Sequence, residues 1–140
     1  MNTATISEAA GSHAHLQDAD GPEKNELWFV PLFNAGDLDG LMAHFDPDTV
    51  LVTESDAVVA GLEGVREVFR EIMWNKLTLA GRTTRIVRSG DVALLYFDWA
   101  LTDFGGTQVS AEGTAVAVLS RQDDGKWLVA IKDPFSLLAR

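Results

Sequence analysis

The sequence predicts an α+β domain in which helices come first and a long antiparallel meander follows. Three observations predict it. Apolar residues recur with a helical period up to about Trp74, and they alternate with period two from about Thr78, turning over at glycines. The chain is 140 residues long and 46% hydrophobic, the size of one domain with one core.

The elements follow in order. Residues 1–21 are rich in Ala, Ser, Asp, Gly and Thr without periodicity, so a flexible tail is expected there, with one domain over 22–140. Asp20-Gly21-Pro22-Glu23 reads as a helix start, and Leu27, Trp28, Phe29, Leu32 and Phe33 supply an apolar stripe. Pro31 cannot donate to the Leu27 carbonyl, which predicts a kink or an early end. Leu38, Leu41, Met42 and Phe45 mark one face of a short second helix, stopped by Asp46-Pro47-Asp48. Thr49–Thr53 and Ala57–Ala60 read as a strand pair. A third helix is expected over 62–74, with Val65, Val68, Phe69 and Ile72 inward and its charged residues in solvent. Strands are expected at about 78–88, 91–102, 107–120 and 126–133, separated by Ser89-Gly90, Gly105-Gly106 and Asp124-Gly125.

Composition narrows the function classes. A net charge of −10 opposes binding to nucleic acid or to anionic lipid, since both need clustered Lys and Arg. Without cysteine there is no disulfide, no thiolate nucleophile and no Cys zinc site. No Lys or Arg precedes Lys24 and no apolar run occurs there, so a cytoplasmic protein without signal peptide or membrane span is expected. His13 and His15 lie in the expected tail, where metal binding lacks further ligands, and His44 reads as a half-exposed helix residue. No metal motif, phosphate-binding glycine loop or serine nucleophile motif is present. Neither a metal nor a cofactor is expected.

Two blocks carry a family resemblance. One is Asn34-Ala35-Gly36-Asp37-Leu38-Asp39-Gly40-Leu41, continuing through Phe45 to Asp48-Thr49-Val50. The other is Asp123-Asp124-Gly125-Lys126-Trp127, leading to Ile131-Lys132-Asp133-Pro134-Phe135. Over about residues 23–136 the chain resembles the nuclear-transport-factor-2-like superfamily, in its SnoaL-like, ketosteroid-isomerase-homologue branch. The resemblance implies a cone, also called cystatin-like: a strongly curved, mostly antiparallel sheet wrapped on three N-terminal helices around a cavity. It also implies a homodimer.

Ketosteroid isomerase uses a base Asp after the first strand, with a Tyr and a protonated Asp as oxyanion hole. By resemblance the Tyr position falls on Phe29, the base position on Thr53 and the oxyanion Asp position on Ala117. Steroid isomerisation is therefore not expected, and Glu54 replaces the base only if the strand slips by one residue.

Side chains alternate across a strand, so each strand offers two lists. Aligning the hairpins with ketosteroid isomerase puts Tyr96 and Asp98, Ala111 to Ala117 at alternate positions, and Ala130 and Lys132 towards the cavity. Phe97, Trp99 and Trp127 then fall on the other face, which is expected to form the dimer. On that reading Asp98, Lys132 and Tyr96 are the catalytic candidates; an Asp and a Lys buried together require one another, either as a proton-transfer pair or as a structural ion pair at the cavity rim. Trp28, Phe29, Phe33, Thr53, Glu54 and Ala117 are the ligand-binding candidates, and Trp28 or Trp74 could stack on a flat ligand. The functional expectation is a small, largely apolar organic molecule held in the cavity. Two classes stay open: a cofactor-independent isomerase, cyclase or hydratase working by acid–base catalysis, and a non-catalytic dimeric binding or assembly domain.

Overall fold

The structure is a computed structural model and describes residues 21–103 and 105–135. Apart from Gly21, the tail expected over 1–21 lies outside the described residues, as do His13 and His15. Among the described residues, three helices and six strands follow in the order α1 (Glu23–Ala35), α2 (Leu38–Met42), β1 (Phe45–Val52), β2 (Val58–Ala60), α3 (Leu62–Trp74), β3 (Thr78–Ser89), β4 (Val92–Thr102), β5 (Val109–Arg121) and β6 (Trp127–Asp133). The strands make one sheet in the order β2-β1-β6-β5-β4-β3, antiparallel except where β1 runs parallel to β6.

Helix α1 does not end at Pro31 but continues to Ala35. Its stop is set by Gly36 at φ 72°, a left-handed cap whose N–H bonds back to Leu32 and Phe33 carbonyls. Asp37 then caps α2 by accepting from the Gly40 N–H at 2.9 Å. Asn34 fastens α1 to the sheet in both directions: its amide donates to the Leu79 carbonyl at 2.9 Å and accepts from the Leu79 N–H at 2.7 Å. The first family-like block is therefore a set of caps and one clamp.

Two element boundaries differ from the sequence reading. Helix α2 ends at Met42, and β1 begins at Phe45 rather than Thr49. Asp46-Pro47-Asp48 does not stop a helix; it interrupts a strand, for the β1–β6 register shifts between Phe45 and Val50. That is where a proline within a strand belongs. Helix α3 spans the expected residues, and its Arg66 reaches Asp39 at 2.7 Å, tying α3 to α2.

The core lies between the helices and the concave face of the sheet. Phe29 from α1 meets Phe69 from α3 at 5.9 Å and Phe97 from β4 at 6.1 Å between ring centroids, both edge-on. Phe69 also meets Phe45 at 5.6 Å. Each such contact contributes roughly 0.5–1.5 kcal/mol beyond the area it buries. Gly81 on β3 is part of this packing, because a Cβ there would run into the Phe97 ring and the Asp98 carbonyl.

Candidate functional site

Inside the cone lies a cavity of about 500 Å³. Phe29 and Phe33 come from α1, Leu51 to Ser55 from β1 and the turn after it, and Phe69, Glu71 and Ile72 from α3. The sheet contributes Leu79, Phe97, Trp99, Leu101, Ala111 and Ala115, and the chain closes the ring with Lys132, Pro134 and Phe135. The walls are chiefly aromatic and aliphatic, with a few polar groups among them, the composition of a small-molecule site.

Register decides who faces this space. Antiparallel pairing sets Leu95 opposite Ala117, Phe97 opposite Ala115, Trp99 opposite Gly113 and Leu101 opposite Ala111. Directly opposed residues share a face, so the bulky list of β4 points inward with the small list of β5. The sequence reading had placed Tyr96 and Asp98 there, and this is corrected. Tyr96 pairs with Val116 and Asp98 with Thr114 on the outer face. Asp98 is exposed, and its carboxylate accepts from the Thr114 hydroxyl at 2.7 Å. Tyr96 sits under the Arg85 guanidinium, 5.7 Å from the ring centroid.

Lys132 does face inward, for a reason that alternation alone misses. Leu119 pairs with Val129 and Val118 with Ile131, so β6 advances two residues where β5 advances one. Ala130 is the extra residue of a bulge, which re-aims the side chains beyond it. Trp127, Val129 and Lys132 are all buried, while Ile131 is turned out. The buried Thr49 hydroxyl reaches the Ala130 carbonyl at 3.4 Å and supports the bulge.

Lys132 is 3% exposed. Its Nζ lies 3.9 Å from the centroid of the Phe29 ring and 5.8 Å from that of Phe97. Ring faces carry partial negative charge and so favour the ammonium, by about 0.5–2 kcal/mol per contact. Its cross-strand neighbours are Ala117 and Leu51. Thus Phe29 and Ala117, the two positions that the resemblance gave to the isomerase oxyanion hole, flank a lysine here. Asp98 and Lys132 are on opposite faces, so the proposed acid–base pair does not form, and the dimer face cannot be the one with Phe97, Trp99 and Trp127, which point inward and are largely buried.

The other candidates divide. Phe29, Phe33, Thr53 and Glu54 line the cavity; Ala117 is buried beside Lys132 without lining it. Trp28 and Trp74 are exposed at 54% and 80% and do not line it. Thr53 and Glu54 both reach the cavity because β1 ends at Val52, after which the chain turns and strand parity no longer applies. The Thr53 hydroxyl is engaged with that turn, bonding with Ser55 and Ala57. Glu54 and Glu71 are exposed and belong to the open side of the cavity.

Sequence reasoning missed Trp99 and Phe135 as wall residues. Trp99 Nε1 donates to the Pro134 carbonyl at 2.8 Å, and its ring meets Phe135 edge-on at 5.4 Å. Asp133 helps turn the chain, its carboxylate accepting from the Phe135 N–H at 3.2 Å. A usable signal existed: bulky residues on β4 and small ones on β5 fit together only if they share a face. Among the described residues, no three His, Cys, Asp or Glu side chains gather as metal ligands, and no helix is long and apolar enough to cross a membrane.

The family described as SnoaL-like domain matches residues 27–130. No curated protein matches the chain. Solved structures do. A ketosteroid isomerase-like protein from Erwinia carotovora atroseptica is 18% identical with a TM-score of 0.70, over 84% of this chain and 95% of that one. A nuclear-transport-factor-2-like protein with a cystatin-like fold from Novosphingobium aromaticivorans is 16% identical with a TM-score of 0.72, over 89% and 85%. A candidate dehydratase of the same family from Streptomyces avermitilis is 20% identical with a TM-score of 0.67, over 87% and 97%. At these identities the structures establish the fold. The chain belongs to the SnoaL-like domain family and shares its fold with nuclear-transport-factor-2-like proteins.

Proposed function

We propose that this SnoaL-like domain binds a small, largely apolar organic molecule in its cone. The observation that carries the reading is the cavity of about 500 Å³ walled by Phe29, Phe33, Phe69, Phe97 and Trp99. Unfilled apolar volume of this size forgoes dispersion contacts that a ligand would restore. Turnover of isomerase, cyclase or hydratase type would need a base able to face Lys132; the carboxylates that line the cavity are Glu54 and Glu71. The test is a thermal-shift screen of one- and two-ring organic compounds against the wild type and Ala111→Trp, which places an indole in the cavity. Compounds that raise the wild-type Tm should lose that effect in the variant. Equal shifts in both, or no shift at all, would remove the cavity as a ligand site.

A second reading, a homodimer, rests on the outer face of the sheet. Val50, Ile131, Val118, Leu94 and Val87 stand in one row across β1, β6, β5, β4 and β3. Val87 and Ile131 are 44% and 45% exposed, an apolar row that a second copy would cover. Sedimentation should give a dimer for the wild type and a folded monomer for Val118→Glu. A dimer unchanged by that substitution would place the interface elsewhere.

A further inference from the structure

We infer that the ligand of this cavity is an organic cation, an apolar body with one ammonium end that stays at the open side. The inference rests on the cavity being a ligand site. It follows from what the chain gathers at that side. Strands β1 and β6 run parallel with Leu51 beside Lys132, so Glu54 and Phe135, three residues beyond them, leave the sheet at the same end. Phe135 meets Trp99 edge-on there, Glu71 is contributed by α3, and all four residues line the cavity. Aromatic rings beside carboxylates are the chemistry that recognises an alkylammonium. Ring faces attract the charge through their quadrupoles, and carboxylate oxygens accept the N–H groups. Among the described residues neither Glu54 nor Glu71 is in an ion pair with another side chain, so both carboxylates stand open to such a ligand.

The deeper wall gives the ligand a direction. Lys132 is buried there with its ammonium against the Phe29 ring. Like charges repel, so a second cation is held off from that wall, and the apolar body takes the inner place against Phe33 and Phe69. Only the sign of the Lys132 charge is needed for this. A ligand whose polar end is a carboxylate would meet two like charges at the open side.

The probes are 2-naphthylmethylamine, an ammonium at pH 7, its neutral counterpart 2-naphthylmethanol, and naphthalene-2-carboxylate, titrated calorimetrically at low salt. The wild type should bind the amine about fivefold more tightly than the alcohol, the scale of two exposed ion pairs. The carboxylate should bind more weakly than the alcohol. Glu54→Gln with Glu71→Gln should lose the preference for the amine while keeping its affinity for the alcohol, which also reports an intact cavity. The chain is acidic throughout, so Glu63→Gln with Glu67→Gln, on the exposed side of α3, removes the same charge away from the cavity and should keep the preference. Equal wild-type affinities for amine and alcohol would overturn the cation assignment and leave the cavity reading standing. So would a preference that survives in the first double variant or is lost equally in the second, or a thermal-shift screen whose hits are all neutral or anionic. Failure of all three probes to bind, with no hit in that screen, would instead remove the cavity reading itself.

Discussion

Two rows of residues cross the sheet one position apart and lead opposite lives. The inner row runs Leu51, Lys132, Ala117, Leu95, Ile86; the outer row runs Val50, Ile131, Val118, Leu94, Val87. Composition does not separate them, and the inner row even holds the charge. Surroundings do. Leu95 has no exposed surface and Leu51 is nearly as enclosed, while Val87 and Ile131 are close to half exposed. A charge on the outer face, such as Asp98, is accommodated by Thr114 and water. The charge on the inner face, Lys132, is buried instead, with its ammonium against the Phe29 ring.

The largest effect should come from putting the same charge into each row. Leu95→Asp buries a carboxylate among apolar side chains and should cost about 4 kcal/mol or more, enough to unfold most of the population in a urea titration. Leu94→Asp, one residue away, should cost the folded chain no more than about 1 kcal/mol and act on self-association instead. Similar losses from the two would mean that the faces are assigned wrongly.

Next is Gly81→Val on β3. Its side chain would enter the space of the Phe97 ring, and overpacking of this kind costs roughly 1–3 kcal/mol. The same substitution at the outward Ala80 should be within about 0.5 kcal/mol of wild type. Asn34→Ala removes both bonds of the α1–β3 clamp and should cost about 1–3 kcal/mol, since it leaves two backbone groups of Leu79 without that partner. Amide exchange at Leu79 should rise with it; an unchanged rate would show the clamp to be dispensable.

The smallest effect lies outside the cone, at the β4–β5 connection. Asp103 accepts from the Thr107 N–H and the Thr107 hydroxyl, both at 2.8 Å, and these bonds hold its carboxyl below the ordinary value of 3.8. A depressed folded-state pKa stabilises the fold above the unfolded value, and the contribution is lost as pH falls through the folded one. Asp103→Asn should therefore lower Tm slightly at pH 7, with the difference from wild type closing below pH 3.8. A difference that persists at lower pH would assign the effect to geometry rather than charge.

How much of this was legible in the sequence depends on which physical rule governs each residue. Helix α3 was readable because its apolar residues keep one period and Gly61 precedes it. The Asn34 block was readable as a family pattern, and its caps and clamp explain why those residue types stand together. Pro31 misled because losing one hydrogen bond is tolerable when the rest of a helix packs well. The faces of the sheet were the harder matter. Parity within a strand is certain, but parity between strands depends on loop length and on bulges, at Leu101/Thr102, Thr83/Arg85 and Val118/Leu119. Lys132 was placed inward on an alternation that the bulge at Ala130 breaks; Asp98 was placed inward on an alignment that the pairing of β4 with β5 overrules. Phe29 and Phe33 line the cavity from α1, and Thr53 does so from the turn after β1, where strand parity no longer applies.

Occupancy of the cavity is tested most directly by intermolecular NOEs between an aromatic hit of the thermal-shift screen and the protein's side chains. The expected result is contacts to Phe33, Phe69 and Trp99, which line the cavity. Contacts confined to the outer row, at Val87 and Ile131, would contradict it.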